Sequence, residues 1–150
     1  MGLDVGDKTI GIALSDELGL TAQPYETLRR KGEAQDLRAI RTVLDEWGIC
    51  SVIVGLPRNM DGTLGRQARK VTAFSEKIES VLGVPVIHWD ERLSTVVAER
   101  ILIQADLSRA KRKKHVDKIA AAVILQGYLD SPGASLVVSG PPRLSDPSGS

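Results

Sequence analysis

An acidic residue, Asp4, interrupts the apolar segment MGLDVG at the start of the sequence. In an extended segment, side chains alternate between two faces, so Leu3 and Val5 would share one face while Asp4 lies on the other, with glycines on both sides of it. An ionised carboxylate is very costly to bury without a partner, so Asp4 must reach water or lie beside a cation. If Asp4 stood alone, a solvent-exposed strand end would be enough to explain it. A ligand site would require further acidic residues close to Asp4.

Three further acidic residues occur where a ligand site could use them. Asp90 and Glu91 follow a predicted strand at its carboxyl end, which is where ligands usually bind in open α/β sheets. Asp117 lies near the start of the predicted last helix, where the helix dipole alone would also favour an acidic residue. Asp4, Glu91 or Asp90, and Asp117 together form a set of oxygen ligands without histidine or cysteine, which suits Mg²⁺ or Mn²⁺ rather than zinc. Two such ions about 3.5 to 4 Å apart can hold the attacking and leaving oxygens of a phosphodiester.

Basic residues are concentrated beside one of these acids. Five of the six residues from 109 to 114 are basic, and this run ends three positions before Asp117. Such a run attracts phosphate backbones, with binding that weakens as salt rises, although a solvated loop is the alternative interpretation. Residues near the start of the second predicted helix could add backbone contacts through charge and free N–H groups. The candidate nucleic-acid contacts are therefore Lys8, Arg58, Arg66, Arg69, Lys70, Arg92, Arg109, Lys111, Arg112, Lys113 and Lys114.

The composition limits the class of protein. A chain of 150 residues has the length of one ordinary domain, so an enzyme with separate cofactor and substrate domains is excluded. Aromatic residues make up only 3%, which argues against binding of single-stranded bases by aromatic stacking, and the net charge of +1 gives no global signal for a polyanion. One cysteine and two distant histidines exclude an intrachain disulfide and a Cys/His zinc site. We expect a soluble cytoplasmic protein with no membrane partner, because no segment has the pattern of a signal peptide or a membrane span.

Periodicity divides the sequence into the elements that must position these residues. The predicted strands are 1–5, 9–14, 25–29, 51–55 and 84–89, and the predicted helices are 33–47, 71–82, one that begins at Ser94 or Thr95, and 116–129. Antiparallel strands followed by alternating strands and helices imply a mixed five-stranded sheet with helices on both faces, in a single α/β domain over residues 1–129. Residues 130–150 are rich in serine, proline and glycine and are predicted to form a flexible tail.

Four segments carry a resemblance to a known family. They are GLDVGDKTIGIALSD at 2–16, VIVGLPRNMDG at 52–62, DERLST at 90–95 and KKHVDKIAAAVILQGYL at 113–129. In this order they resemble the motifs of the YqgF/RuvX family of RNase H-like nucleases, relatives of the RuvC Holliday junction resolvase. The resemblance implies an RNase H-like sheet and a nuclease site formed by Asp4, Glu91 and Asp117, with Asp90 as a neighbour or substitute. It also implies trimming of the 5′ end of the small-subunit ribosomal RNA precursor or, alternatively, resolution of Holliday junctions, for which symmetric cutting would favour a homodimer.

Two other hypotheses stay open at this point. A strand–turn–strand with DVGDKT is similar to the phosphate loop of actin-like and sugar kinases, but those proteins need two such lobes to enclose ATP and this chain supplies one. A non-catalytic nucleic-acid-binding module would use the basic run alone, so its acidic residues would be dispensable. One position departs from the family, because Thr9 stands where Arg is usual, and a cation that could contact the substrate backbone is absent there.

Overall fold

The computed structural model describes residues 1–91 and 109–131, except for the side chains of residues 109–116. The predicted third helix and Arg92 lie outside the described residues, as does the predicted tail from residue 132 onward. Within the described part of the chain, no helix is both long enough and apolar enough to cross a bilayer.

Five strands form one mixed sheet, in the spatial order β3–β2–β1–β4–β5. Strands β1 to β3 are antiparallel neighbours, and β4 and β5 continue the sheet in parallel with β1. The five strands are β1 (Gly2–Val5), β2 (Thr9–Ser15), β3 (Ala22–Arg29), β4 (Val52–Leu56) and β5 (Val86–Asp90). This architecture confirms the predicted mixed sheet. Strand β3 begins three residues before the predicted start, because Pro24 is tolerated in a strand with only one described neighbour.

Three described helices pack on this sheet. They are α1 (Glu33–Trp47), α2 (Arg66–Lys77), which continues into a π-helical turn (Ile78–Leu82), and α3 (Arg109–Leu129). The helix α1 has the predicted bounds, and Gly48 ends it in the left-handed conformation at φ 61°. Gly83 ends the π-helical turn in the same way, at φ 70°.

The start of α3 differs from the prediction. The helix begins at Arg109 rather than at residue 116, because alanine, lysine and arginine all favour helix. The basic run therefore forms the first turns of a helix and is not a loop. Asp117 consequently lies eight residues after the start of α3, so the first-turn dipole does not explain its presence.

The two faces of the sheet carry separate apolar clusters. Helices α1 and α2 cover one face, where Leu3, Ile10, Ile12, Val52 and Val54 are fully or almost fully buried. Helix α3 covers the opposite face. Its residues join those of the sheet in a smaller apolar cluster, which contains Ala13, Ile53, Ala121, Ala122, Ile124 and Leu125. The prediction of helices on both faces is thus confirmed. The end of α3 is tied to the sheet by Gln126, whose Oε1 accepts from the Ala22 N–H at 2.8 Å and whose Nε2 donates to the Leu20 carbonyl at 3.0 Å.

Candidate active site

Glycines form the surface on which α3 lies. A Cβ at Gly2 would come within 2.7 Å of the Leu125 Cβ, and a Cβ at Gly11 would overlap the backbone carbonyl of Asp117. Such separations are impossible for a real side chain, so only glycine lets the helix lie directly on the sheet backbone. The missing side chains therefore fix the height and register of α3, and with them the position of Asp117.

Asp4 lies in β1 on the face that α3 covers. It is paired with Gly11 in the β1–β2 ladder, and paired residues of an antiparallel ladder point to the same face. Leu3 and Val5 point the other way, into the cluster under α1 and α2, as the alternation predicts. The Asp4 carboxyl group is thus partly buried on the side of the sheet that α3 covers.

Glu91 follows β5 directly, and its side chain lies over Gly55. Gly55 belongs to β4, which separates β5 from β1 in the sheet. A Cβ at Gly55 would contact the Glu91 carboxyl group, so the absence of a side chain opens the path across β4 towards Asp4. The carboxyl groups of Glu91 and Asp4 share a hydrogen bond.

Both carboxyl groups hold protons more strongly than free acids do. Burial raises the pKa of Asp4 to about 6, its hydrogen bond with Glu91 offsets part of that rise, and the negative charge of Asp117 adds to it. Burial also raises the pKa of Glu91 to about 7, with further increases from the charge of Asp4, the shared hydrogen bond and the charge of Asp90. Two carboxylates this close cannot both ionise readily, so the pair retains a proton up to nearly neutral pH.

Asp117 lies on the same face of the sheet as Asp4. Its carboxylate Oδ2 accepts a hydrogen bond of 2.7 Å from the Thr9 hydroxyl at the start of β2. The Asp117 charge is close enough to raise the pKa of Asp4. The structure therefore brings together three of the four acidic residues that the sequence singled out.

Asp90 is directed elsewhere. Side chains alternate along β5, so Asp90 falls on the side of Val86, which packs against the α1 and α2 cluster. Its Oδ2 lies 3.8 Å from the Nε of Arg58, and the same guanidinium donates from Nη1 to the Gly62 carbonyl at 3.0 Å. Glu91, rather than Asp90, is the residue in contact with Asp4.

The predicted nucleic-acid contacts occupy several positions. Lys8 is exposed at the turn between β1 and β2, and Arg66 and Arg69 are exposed in the first turn of α2. Lys70 donates to Asp7 at 3.3 Å, a long surface ion pair of little energetic weight. The basic residues between 109 and 114 lie in the first two turns of α3, on the amino-terminal side of Asp117.

Sequence analysis missed the residues that shape this site. Gly11 and Gly55 lie inside strands, where a glycine indicates the close approach of another group. The sequence-based prediction considered only the glycines on either side of Asp4. Arg29 was also missed, although it is exposed and paired with Thr9 across the β2–β3 ladder. This pairing places Arg29 beside Thr9 at the same edge of the site.

The oxygen donors of these carboxylates are of the type that divalent cations prefer. Within residues 1–91 and 109–131, no three His, Cys, Asp or Glu side chains form a ready-made metal cluster. The site is instead a hydrogen-bonded pair, Asp4 and Glu91, with a third carboxylate, that of Asp117, whose charge acts on Asp4. Hard oxygen donors that repel one another suit Mg²⁺ or Mn²⁺, because either ion would replace the shared proton and relieve the repulsion.

A family model and several known proteins match this chain in sequence. The model of the family described as "RuvX: Holliday junction resolvase" matches residues 1–131. A protein of Desulforamulus reducens named "Putative pre-16S rRNA nuclease" is 58% identical over 131 residues, which cover 87% of this chain and 96% of that protein. A protein of the same name from Symbiobacterium thermophilum is 56% identical over 133 residues, covering 89% and 92% of the two chains.

A solved structure shares the fold. RuvC of T. thermophilus, in complex with a Holliday junction substrate, superposes with a TM-score of 0.50 at 17% identity, covering 82% of this chain and 88% of that one. The RNase H-like fold that the sequence motifs implied is thereby confirmed.

Proposed function

The chain belongs to the RuvX family, and on that premise we propose that it is a metal-dependent endonuclease that hydrolyses phosphodiester bonds of structured nucleic acid. The proposed substrate is the 16S ribosomal RNA precursor, which the name of relatives at 55–58% identity specifies. The proposed cut is at its 5′ end, as the resemblance of the sequence motifs implies. Such a substrate would place the protein in the cytoplasm.

A single observation carries the proposal, namely the hydrogen-bonded carboxyl pair of Asp4 and Glu91 with Asp117 on the same face of the sheet. Burial of mutually repelling acids lowers the stability of the protein, which points to a role for them outside folding. Gly55 supports the same interpretation, because the absence of a side chain there leaves room for Glu91 to reach Asp4, as well as for Ile124 of α3.

The proposed metal ligands are Asp4, Glu91 and Asp117. A bound Mg²⁺ or Mn²⁺ would supply a Lewis acid and an acidified water for phosphodiester hydrolysis, and we expect two such ions. Asp4 and Glu91 must release their shared proton to act as ligands, so protons compete with metal below about pH 6 to 7. The basic turns of α3, with Lys8 and the exposed arginines of α2, would hold the phosphate backbone.

Cleavage assays test the acidic site. The purified full chain is incubated with Mg²⁺ or Mn²⁺ and either a precursor 16S ribosomal RNA fragment or a four-way DNA junction. We expect a defined cut in the RNA, and we expect Asp4→Asn to abolish it while the protein stays folded, because this change removes charge and preserves shape. A folded Asp4→Asn protein with full activity would refute the assignment.

A second pair of variants separates catalysis from binding. Lys113→Ala/Lys114→Ala should weaken binding of the nucleic acid and reduce its salt dependence, whereas Glu91→Gln should lose cleavage and keep binding. Equal cleavage by Glu91→Gln and the wild type would remove Glu91 from the catalytic site. Absence of cleavage by the wild type, with binding that depends on Lys113 and Lys114, would favour a non-catalytic binding module.

The family description favours a second candidate function, the resolution of four-way junctions. Symmetric cutting of a junction calls for a two-fold homodimer. Symmetric product ends, together with a dimeric mass in solution, would support this function over ribosomal RNA processing.

A further inference from the structure

Thr9 makes a contact that neither the proposed ligand set nor the fold requires. Its hydroxyl donates to Asp117 Oδ2 at 2.7 Å and joins residues that are 108 positions apart in the sequence. Gly11, two residues further along β2, contacts the backbone of Asp117, and Ala13 belongs to the cluster beneath α3. Three alternate residues on one face of β2 thus contact α3, and the first of them, Thr9, donates a hydrogen bond to the Asp117 carboxylate.

The orientation of Asp117 needs such a hold. Its neighbour Asp4 belongs to an acidic pair, and repulsion between the charges favours side-chain conformations that turn Asp117 away. A hydroxyl donor removes this tendency, because it neutralises part of the charge on one oxygen and fixes the plane of the carboxylate. Metal-binding carboxylates are commonly oriented in this way, and loss of the orienting partner weakens metal binding.

We propose that Thr9 is a positioning residue whose hydroxyl holds the Asp117 carboxylate in the orientation in which it joins Asp4 and Glu91 as a ligand of a divalent cation. This inference rests on the proposed function. It gives Thr9 a role in assembling the metal site, which differs from the contact to the substrate backbone that an arginine at this position would make.

The chain offers a matched control. Thr27 lies in β3 opposite Gly11, on the same face of the sheet, and its hydroxyl is buried with no hydrogen-bond partner among the described residues. Thr9→Val and Thr27→Val remove the same group from neighbouring strands. Only the first removes a hydrogen bond to a proposed ligand.

Calorimetric titration of the full chain with Mn²⁺, in the absence of nucleic acid, tests the proposal. Thr9→Val should raise the Kd for Mn²⁺ about tenfold or more, while Thr9→Ser and Thr27→Val should stay close to the wild type. Thr9→Ala, which adds no apolar group beside the carboxylate, should behave like Thr9→Val and replaces it if the valine variant does not fold. Wild-type Mn²⁺ affinity in both Thr9→Val and Thr9→Ala would overturn the proposal.

Asp4→Asn, titrated in parallel, separates this inference from the proposed function. If Asp4→Asn binds Mn²⁺ as tightly as the wild type does, the metal site itself is wrong. If Asp4→Asn loses binding and Thr9→Val does not, only the positioning role fails.

Cleavage kinetics give a second readout. Thr9→Val should need about tenfold more Mg²⁺ for half-maximal rate, with an unchanged KM for nucleic acid at saturating Mg²⁺. A raised KM with an unchanged Mg²⁺ requirement would overturn the proposal and make Thr9 a substrate contact.

Discussion

The two faces of the central sheet are built from the same five strands but on opposite principles. Towards α1 and α2, the strands present large aliphatic side chains such as Leu3, Ile10 and Val54, all fully buried. Towards α3, the same strands present Gly2, Gly11, Gly55 and Ala13, together with the carboxyl group of Asp4. The first face supplies apolar burial, and the second gives up apolar volume to bring a helix and three acids close to the backbone.

One face of the sheet therefore contributes most of the stability of the domain, and the other face holds the acidic site. Burial of a large aliphatic side chain contributes roughly 1.5 to 3 kcal/mol to folding, and the α3 face forgoes this at each glycine. Its carboxyl groups lower stability further, because burial disfavours their ionised forms. We therefore expect substitutions on the first face to alter the free energy of unfolding and substitutions on the second to alter chemistry more than stability.

The largest loss of stability is expected on the face that α1 and α2 cover. Ile40 of α1 is fully buried, so Ile40→Ala should lower the free energy of unfolding by about 2 to 5 kcal/mol through lost transfer energy and a cavity. Urea denaturation measures the change. Cleavage by the folded protein at low temperature should stay at the wild-type rate, and a parallel loss of activity would show that the two faces are coupled.

Gly11→Ala should have the next largest effect. The new Cβ would overlap the Asp117 carbonyl, which is backbone and cannot rotate away, so α3 must shift at a cost of about 1 to 3 kcal/mol. The Mn²⁺ affinity should fall as well, because Asp117 moves with the helix. Thermal unfolding and Mn²⁺ titration measure the two effects, and normal values of both would contradict the close packing of α3 on β2.

Asp4→Asn should stabilise the protein in a way that depends on pH. The pKa of Asp4 is about 6 in the folded state and near 3.8 in the unfolded state, so the folded state binds more protons between these values and stability falls as pH rises through them. The variant lacks this loss, so it should equal the wild type near pH 4 and exceed it by about 2 to 3 kcal/mol at pH 8 without divalent ions. Urea denaturation across this pH range measures the difference. Added Mg²⁺ should stabilise the wild type more than the variant, and a constant difference at all pH values would contradict the raised pKa.

Gly55→Ala should have the smallest effect on stability and a larger one on activity. The new Cβ would meet only side-chain atoms, those of Ile124 and Glu91, which can move aside at a cost of about 1 kcal/mol. Movement of Glu91 breaks its hydrogen bond with Asp4, so cleavage should fall at least about tenfold. Comparison of the melting temperature with the cleavage rate checks this, and a normal rate would show that Glu91 does not need the path across β4.

The fold was largely readable from the sequence, and the site was readable only in part. Alternation placed Asp4 opposite Leu3, and the helical period gave α1 its bounds, because both patterns are local. The start of α3 was placed seven residues too late, since the basic run interrupts the apolar period although its residues favour helix. The choice between Asp90 and Glu91 could not be made, because it depends on which face of β5 lies towards Asp4.

Spacing along the chain encodes which face a side chain occupies, so most of the elements, the two-sided sheet and the acidic residue types follow from local sequence alone. Only the tertiary structure decided that Glu91 reaches Asp4 across Gly55 and that Thr9 holds Asp117. Those contacts join residues far apart in the chain, and they exist because strand register and the height of α3 above the glycines bring the groups within hydrogen-bond distance. Local patterns carry no information about either quantity.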